Sequence, residues 1–427
     1  MMGSLAWHGM GLGKTLSSLW LARKHKIDLK SKGITGTKFM VILPKSAIST
    51  WKVECYNNAP DIYDDMVIYP YSQLHSAIRR LKYIDVRLLI FDEVHYLKSP
   101  ETDRIKTLAA FFRELHNSPT KFQFGRIIAG TGTPAPNSAA EYFTAWAMCT
   151  SPNLDEAANR MLDKTRFENW RSTFANKTQM NWKTGKKKPP AQQGTGHAIK
   201  WEGVNNADKL VQLLNEFVHF RRVEDCIDLP TKQIINIDLG LEDDKLLENA
   251  NIEEPEAYMA LVERLARAKA PHAIDWVKEY LHTNREQLVV FAMNRHPIEQ
   301  MREMFPRDVR LITGAETNNE RAQNLKDFQE GKYRILAMTY AAGSESLNLQ
   351  NCKVALYLGY SWTDAKLKQA MARIWRSGQL HHTFHYFLVS GENDAKMLDK
   401  VLAKEEATTL IENLLLSTNK VELDVLI

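Results

Sequence analysis

Gly9-Met10-Gly11-Leu12-Gly13-Lys14-Thr15, close to the start of the 427-residue chain, carries the residue types that hold phosphate. Closely spaced glycines such as Gly11 and Gly13 let successive backbone N–H groups converge on phosphate oxygens. The Lys14 ammonium neutralises them, and the Thr15 hydroxyl can ligate Mg²⁺. His8 stands where the strict pattern has glycine, so the match is to the looser G-x-G-K-T form. A Gly-rich turn that opens a helix is the plain alternative. A second element is Asp92-Glu93-Val94-His95, which ends the apolar run Val86-Arg87-Leu88-Leu89-Ile90-Phe91. That run reads as a buried parallel strand delivering acids to its carboxyl edge, where ligands bind in α/β folds. Asp92 then falls on Mg²⁺, and Glu93 on the attacking water, to orient or deprotonate it. A solvated acidic turn would explain the pair alone, but explains it poorly behind a phosphate loop. Together the two elements predict ATP hydrolysis.

Such residues need parallel sheets to position them, and the chain has the strand pattern for two. Ser4–Trp7 can be a short strand before the phosphate loop, and Leu16, Leu19 and Trp20 would share one face of the helix after it. Apolar strands alternate with helical stretches at 38–44, 66–72, 86–91 and 124–131. They do so again at 287–293, 309–313, 333–339, 353–359 and 383–389. The fold class is therefore α/β, with two tandem P-loop NTPase-type lobes. The first lobe spans 1–235 and includes a Trp-rich, basic insertion at about 151–220, read as helical. An acidic and helical linker occupies 236–270, and the second lobe 271–427.

A length of 427 residues exceeds the usual limit of one core. No apolar run is long enough to span a bilayer, and the N-terminus lacks a signal-peptide pattern, so a cytoplasmic setting is expected and no membrane partner. Cys55, Cys149, Cys226 and Cys352 lie far apart with no C-x-x-C pair, which indicates neither a zinc site nor a disulfide framework. A net charge of +5 is mild. Its distribution is more informative: Lys183, Lys186, Lys187, Lys188 and Lys200 fall in a stretch with no acid, read as an exposed basic loop. Glu242, Asp243, Asp244, Glu248, Glu253, Glu254 and Glu256 crowd another, read as an acidic linker.

Further segments follow in a fixed order. The first lobe carries Leu43-Pro44-Lys45-Ser46 with Trp51, then Thr131-Gly132-Thr133-Pro134 with Asn137-Ser138, and closes on Arg221-Arg222, Leu229-Pro230 and Lys232. The second carries Val289-Val290-Phe291-Ala292, Thr313-Gly314, Gly343 through Leu347-Asn348-Leu349, and Gln369-Ala370-Met371-Ala372-Arg373-Ile374-Trp375-Arg376-Ser377-Gly378-Gln379. With the phosphate loop and acid box, the series resembles the Swi/Snf-type branch of the superfamily-two helicases, nearly end to end. His8-Gly9 replaces that family's acidic pair, Ser346 a glycine, and Trp375 a histidine, none of them a charge that hydrolysis needs. The family's adenine-reading segment has no counterpart before Ser4, which leaves base specificity open. Short insertions suit a compact microbial or phage-like version.

The resemblance implies two tandem RecA-like lobes, ATP and Mg²⁺ as cofactors, and DNA as partner, with contacts mainly to the backbone and blind to sequence. Catalytic roles fall on Lys14, Asp92, Glu93, Gln369, Arg373 and Arg376, with Gly343 also near nucleotide. Gln369, Arg373 and Arg376, at i, i+4 and i+7, would share one helix face and meet the γ-phosphate on lobe closure. DNA candidates by motif position are Lys45, Ser46, Tyr71, Ser72, Gly314, Thr339 and Trp362, the last equally readable as a packed aromatic. Lys186–Lys188 could track the backbone or merely solvate a loop. Gly132 and Thr133 would couple nucleotide state to DNA. The implied activity is DNA-dependent ATP hydrolysis driving duplex translocation and remodelling. A fork-remodelling or annealing enzyme is one rival, supported by a faint A-K-x-P likeness at Ala268–Pro271. A DNA-binding scaffold with a decayed ATPase is another, disfavoured by the intact set of charged residues.

Overall fold

A computed structural model of the chain describes residues 2–133, 135, 138–183, 195–241, 255–343, 347–359, 364–392, 394–395, 398–399 and 409–418. The apolar runs at 38–43 and 86–92 form strands buried along nearly their whole length, as central parallel strands must be when helices cover both faces. The first sheet has six strands: β1 (Gly3–His8), β2 (Lys38–Leu43), β3 (Met66–Pro70), β4 (Val86–Asp92), β5 (Arg126–Thr131) and β8 (Val218–Arg221). Their order is β3-β2-β4-β5-β1-β8, and every pair is parallel. Trp7 pairs with Thr131, and Asp92 with Gly130, so the carboxyl ends of β1, β5 and β4 share one edge.

A second six-stranded sheet contains β9 (Lys232–Asp238), β10 (Leu288–Ala292), β11 (Val309–Ile312), β12 (Ile335–Thr339), β13 (Val354–Tyr357) and β14 (Thr383–Val389). Its order is β11-β12-β10-β13-β14-β9, again all parallel. The two compact units are the described residues within Met1–Thr178, Ile199–Cys226 and Glu406–Ile427, and those within Gln179–Ala198 and Ile227–Glu405. Among the described residues no helix is long and apolar enough to cross a membrane.

Four expectations change. First, Lys232–Asp238 is an edge strand of the second sheet, so the second lobe starts at Ile227, well before 271. Second, Ile411 and Leu415 are buried in the core of the first lobe, and Thr418 and Asn413 bond Asn215 and Arg222 there. The last described segment thus returns to the first unit. Third, the 151–220 segment is not purely helical: helices Leu154–Leu162, Lys164–Phe174 and Ala207–Asn215 flank a two-stranded sheet of β6 (Asn176–Lys183) and β7 (Thr195–Glu202). Lys186–Lys188 and the acids at 242–254 lie outside the described residues. Fourth, the helix Lys14–Ser31 buries Ser18, Leu19, Ala22 and Leu29, whereas Trp20 is 58% exposed, with Arg23 stacked over its ring. Small residues at 18 and 22 let this helix lie close on the sheet, and a larger Leu16–Trp20 face would hold it away.

One buried ion pair holds the second lobe. Lys269, on the helix Pro255–Thr283, pairs with Asp394, both almost fully enclosed, and Asp394 also accepts from Ser390 N (2.8 Å) and Ser390 Oγ (3.1 Å). Lys269→Met should therefore lower stability by about 3–5 kcal/mol, because it removes the ammonium that faces a buried carboxylate. Chemical denaturation checks this, and Lys269→Met/Asp394→Leu should recover most of the loss.

Candidate active site

The phosphate loop sits where β1 ends. Gly13, with φ 68°, caps the helix that starts at Lys14, and Gly11 has φ 85°, backbone states open to glycine at little cost. Lys14 Nζ donates to the His8 carbonyl (3.1 Å) and the Gly9 carbonyl (3.4 Å), which holds the ammonium over the loop. Burial, reinforced by Lys14 and Arg221, pushes His8 down to about 4. The histidine that replaces an acid here is therefore neutral at pH 7 and adds no charge beside Lys14. A Cβ placed on Gly132 would stand 3.2 Å from Met10 Cγ and 3.6 Å from Lys14 Nζ. Glycine is what leaves this space beside the ammonium open.

At the end of β4, Glu93 takes a left-handed conformation (φ 52°, ψ 55°), uncommon for a residue with a side chain and a mark of local strain. Its Oε2 lies 3.1 Å from His95 Nδ1 and accepts from Thr131 Oγ1 at 3.2 Å. Thr131 Oγ1 in turn accepts from Thr133 N at 3.1 Å and lies 3.1 Å from His95 Nδ1. A threonine hydroxyl has one proton, and this one goes to Glu93, so His95 Nδ1 must be a donor. A continuous path thus runs from Glu93 through Thr131 to Thr133, one of the two residues expected to couple. His95 and Thr131 are the members that sequence reasoning did not single out. The D-E-x-H and T-G-T spellings held the signal, but only adjacent β4 and β5 bring them together.

The two acids differ in proton affinity. Burial and the neighbouring Glu93 carboxylate push Asp92 up to about 6. Burial also opposes the charge on Glu93, yet His95, Lys14 and Thr131 outweigh it and hold Glu93 at about 2. A carboxylate with so low a pKa is a weak base at pH 7, which favours orienting a water over deprotonating it. Thr15 and Asp92 present hydroxyl and carboxylate oxygens, the hard donors that suit Mg²⁺.

The second lobe departs from its expected helix face. The helix Asp364–Met371 carries Gln369 but stops before both arginines, and the chain turns through Arg373 N to Ala370 O and Ile374 N to Met371 O. Beyond the break, buried Gln379 holds the turn: its Nε2 donates to the carbonyls of Cys352 (2.9 Å) and Ile374 (3.0 Å). Gly378, at φ 90°, lets the chain reverse. Arg373 and Arg376 converge nevertheless, each with Nη1 near the Leu347 carbonyl (3.5 and 3.3 Å). Among the described residues Arg376 Nε is buried without a hydrogen-bond partner, and burial lowers the Arg376 pKa. A desolvated cation with a spare donor is well suited to an anion. Trp375, in the histidine position, donates to the Pro230 carbonyl (2.8 Å), with Lys232 Nζ 4.3 Å from its ring centre.

Other candidates move. Tyr71 and Thr339 are buried and unavailable to a DNA backbone; Tyr71 bonds the Asp92 carbonyl, and Thr339 Oγ1 accepts from Ala342 N. Trp51, 2% exposed, bonds Asp92. Gly343 is a packing glycine, since a Cβ there would meet Met338 Sδ at 2.6 Å. Lys45, Ser72 and Gly314 are exposed and Ser46 half-buried. Pro134, Asn137, Ser346 and Trp362 lie outside the described residues.

Two parallel α/β lobes, with a phosphate loop and an acid box on one sheet edge, define a P-loop NTPase of the helicase type. Residues 272–378 match the model of the helicase conserved C-terminal domain. The chain is 22% identical over 422 residues to the Xenopus tropicalis "SWI/SNF-related matrix-associated actin-dependent regulator of chromatin subfamily A-like protein 1", covering 90% of this chain and 40% of that protein. It is 22% identical over 450 residues to the mouse "DNA annealing helicase and endonuclease ZRANB3", covering 93% and 38%. A shorter likeness, 26% over 125 residues, covers 28% of the chain and 21% of "Putative helicase 172L" of Invertebrate iridescent virus 6. The chain thus spans about two fifths of the longer relatives. The match and these relatives agree with the resemblance to the Swi/Snf-type branch of the superfamily-two helicases.

Proposed function

We propose that the chain is a DNA-dependent ATPase that couples hydrolysis to translocation on duplex DNA and to remodelling of DNA or protein–DNA complexes. The observation that carries this reading is the path from Glu93 through Thr131 to Thr133, which joins the water-orienting acid to the segment expected to sense DNA. Thr15 and Asp92 would hold Mg²⁺, which when bound offsets phosphate charge. Glu93 orients the attacking water with the carboxylate oxygen that His95 and Thr131 leave open. Lys14 binds phosphate, and Arg373 and Arg376 meet charge that develops on the transferred group. Exposed Lys45, Ser72 and Gly314, with Ser46, would meet DNA phosphates, contacts that any sequence offers.

The test is the ATPase rate without nucleic acid and with single-stranded DNA, duplex DNA, forked DNA or RNA. Duplex DNA should stimulate most. Binding should weaken steeply with salt: a footprint of about 6–10 phosphates loses about 10³–10⁵ in affinity between about 50 and 200 mM. Stimulation by RNA but not DNA would sink the substrate assignment. A second reading, action on forks or in strand annealing, is favoured by the likeness to the mouse annealing helicase over 93% of the chain. Strongest stimulation by forked DNA would select it.

A further inference from the structure

We propose that Trp51 and Tyr71 are positioning residues that set the Asp92 carboxylate from the two loops expected to meet DNA, so that DNA on those loops tightens Mg²⁺ and nucleotide binding. The inference rests on the DNA-dependent ATPase reading and adds its regulation. Three donors fix Asp92. Trp51 Nε1 donates to Oδ2 at 2.7 Å, the backbone N–H of Glu93 donates to Oδ1 at 3.0 Å, and the Tyr71 hydroxyl donates to the main-chain carbonyl at 2.8 Å. Two of the three come from segments distant in the chain rather than from the residue next to the acid.

Each of those two begins beside an exposed polar group. The turn Lys45–Ala47 runs directly into the helix Ile48–Asn58, and Trp51 lies one turn into that helix. Its ring is enclosed with Leu19, Val41, Leu43 and Cys55, so the indole cannot swing independently of the helix. Tyr71 immediately precedes exposed Ser72 in the turn Tyr71–Gln73. Its ring stacks on Tyr96 (centroids 5.5 Å apart, planes 1° apart), with Arg104 within 5.8 Å of both ring centres. A phosphate that draws on Lys45, Ser46 or Ser72 therefore acts on rigid aromatic levers whose polar ends rest on Asp92. The indole N–H occupies part of Oδ2 and directs the remaining lone pairs, which decides how well the carboxylate can serve a metal. Both rings are buried.

The experiment titrates Mg²⁺ against binding of a fluorescent ATP analogue, with and without duplex DNA, in the parent, Trp51→Phe and Tyr71→Phe. Thermal melting checks the fold. In the parent, DNA should lower the Mg²⁺ concentration at half-saturation by about fivefold or more. Trp51→Phe, which keeps an aromatic ring but loses the N–H, should raise the DNA-free requirement by about tenfold and abolish the DNA-induced shift. Tyr71→Phe removes one oxygen and should lose most of that shift; it keeps the test decisive if Trp51→Phe melts early. Parental curves in both variants, or no DNA-induced shift in a parent whose ATPase is nonetheless DNA-stimulated, overturn the relay alone. A parent with no DNA stimulation at all overturns the functional reading beneath it.

Discussion

Glu93→Gln is expected to bind ATP with near-parental affinity and to lose turnover by roughly 10²–10⁴-fold. The substitution is close to isosteric, and the local bonds allow it. His95 and Thr131 both address a single oxygen, Oε2, and a Gln carbonyl can take that place. The backbone N–H of residue 93 still reaches Asp92 Oδ1. What changes is the other carboxylate oxygen, which becomes an amide NH₂ that repels rather than accepts a water proton. Because Glu93 is held at about 2, the loss would come from misorienting the water, with a small share from lost basicity. Turnover in the parent should accordingly show no titration assignable to Glu93 between about pH 5 and 8. Lys14→Ala makes the contrast, since losing the ammonium over the loop should weaken nucleotide binding itself. Single-turnover hydrolysis beside nucleotide affinity separates the two variants. Near-parental hydrolysis by folded Glu93→Gln would remove this residue from the water.

Legibility in the sequence followed the range of the interaction concerned. The phosphate loop and acid box could be read because their chemistry needs neighbours in sequence and a strand that is apolar throughout, as Leu88–Phe91 is. Strands β8 and β9 were missed because they lack the apolar run that marks the other strands, the edge strands β3 and β11 included. Val218–Arg221 alternates buried and exposed over only four residues, and Lys232–Asp238 is half polar, so neither resembles the buried runs of a central parallel strand. Tyr71 was assigned to DNA by motif position, and Trp51 was noted only beside the Leu43–Ser46 segment. Nothing local distinguishes an aromatic that faces solvent from one that turns under β4 to bond Asp92, and the choice appears only with the sheet order β3-β2-β4. The extended helix face through Arg376 failed close to a signal that was visible. Gly378-Gln379 marked a turn, and the Gln379 amide takes the Ile374 carbonyl that a continuing helix would have used.

Arg376→Ala is expected to keep ATP and DNA affinity within a few-fold of the parent while lowering single-turnover hydrolysis by roughly 10³ or more. A group that stabilises charge present only at the transition state contributes to rate and little to ground-state binding. The side chain has the properties this needs. It is largely desolvated, which disfavours its charge and so strengthens its attraction to an incoming anion, and among the described residues its Nε proton is buried without an acceptor. Its Nη1 contact with the Leu347 carbonyl, at 3.3 Å, aims the guanidinium without neutralising it. Arg373 shares that carbonyl at 3.5 Å, and the Arg373 carbonyl accepts from Leu349 N. Arg373→Ala should therefore also lose turnover and, by loosening the 347–349 segment, some stability. Arg376→Lys separates charge from geometry: a point charge on a flexible stem cannot reproduce the planar fork, so it should recover less than a tenth of the lost rate. The comparison is single-turnover hydrolysis against nucleotide and DNA affinity in all four proteins, with circular dichroism checking the fold. If Arg376→Ala hydrolyses ATP within a few-fold of the parent, or loses DNA binding instead, Arg376 does not act on the transferred phosphoryl group.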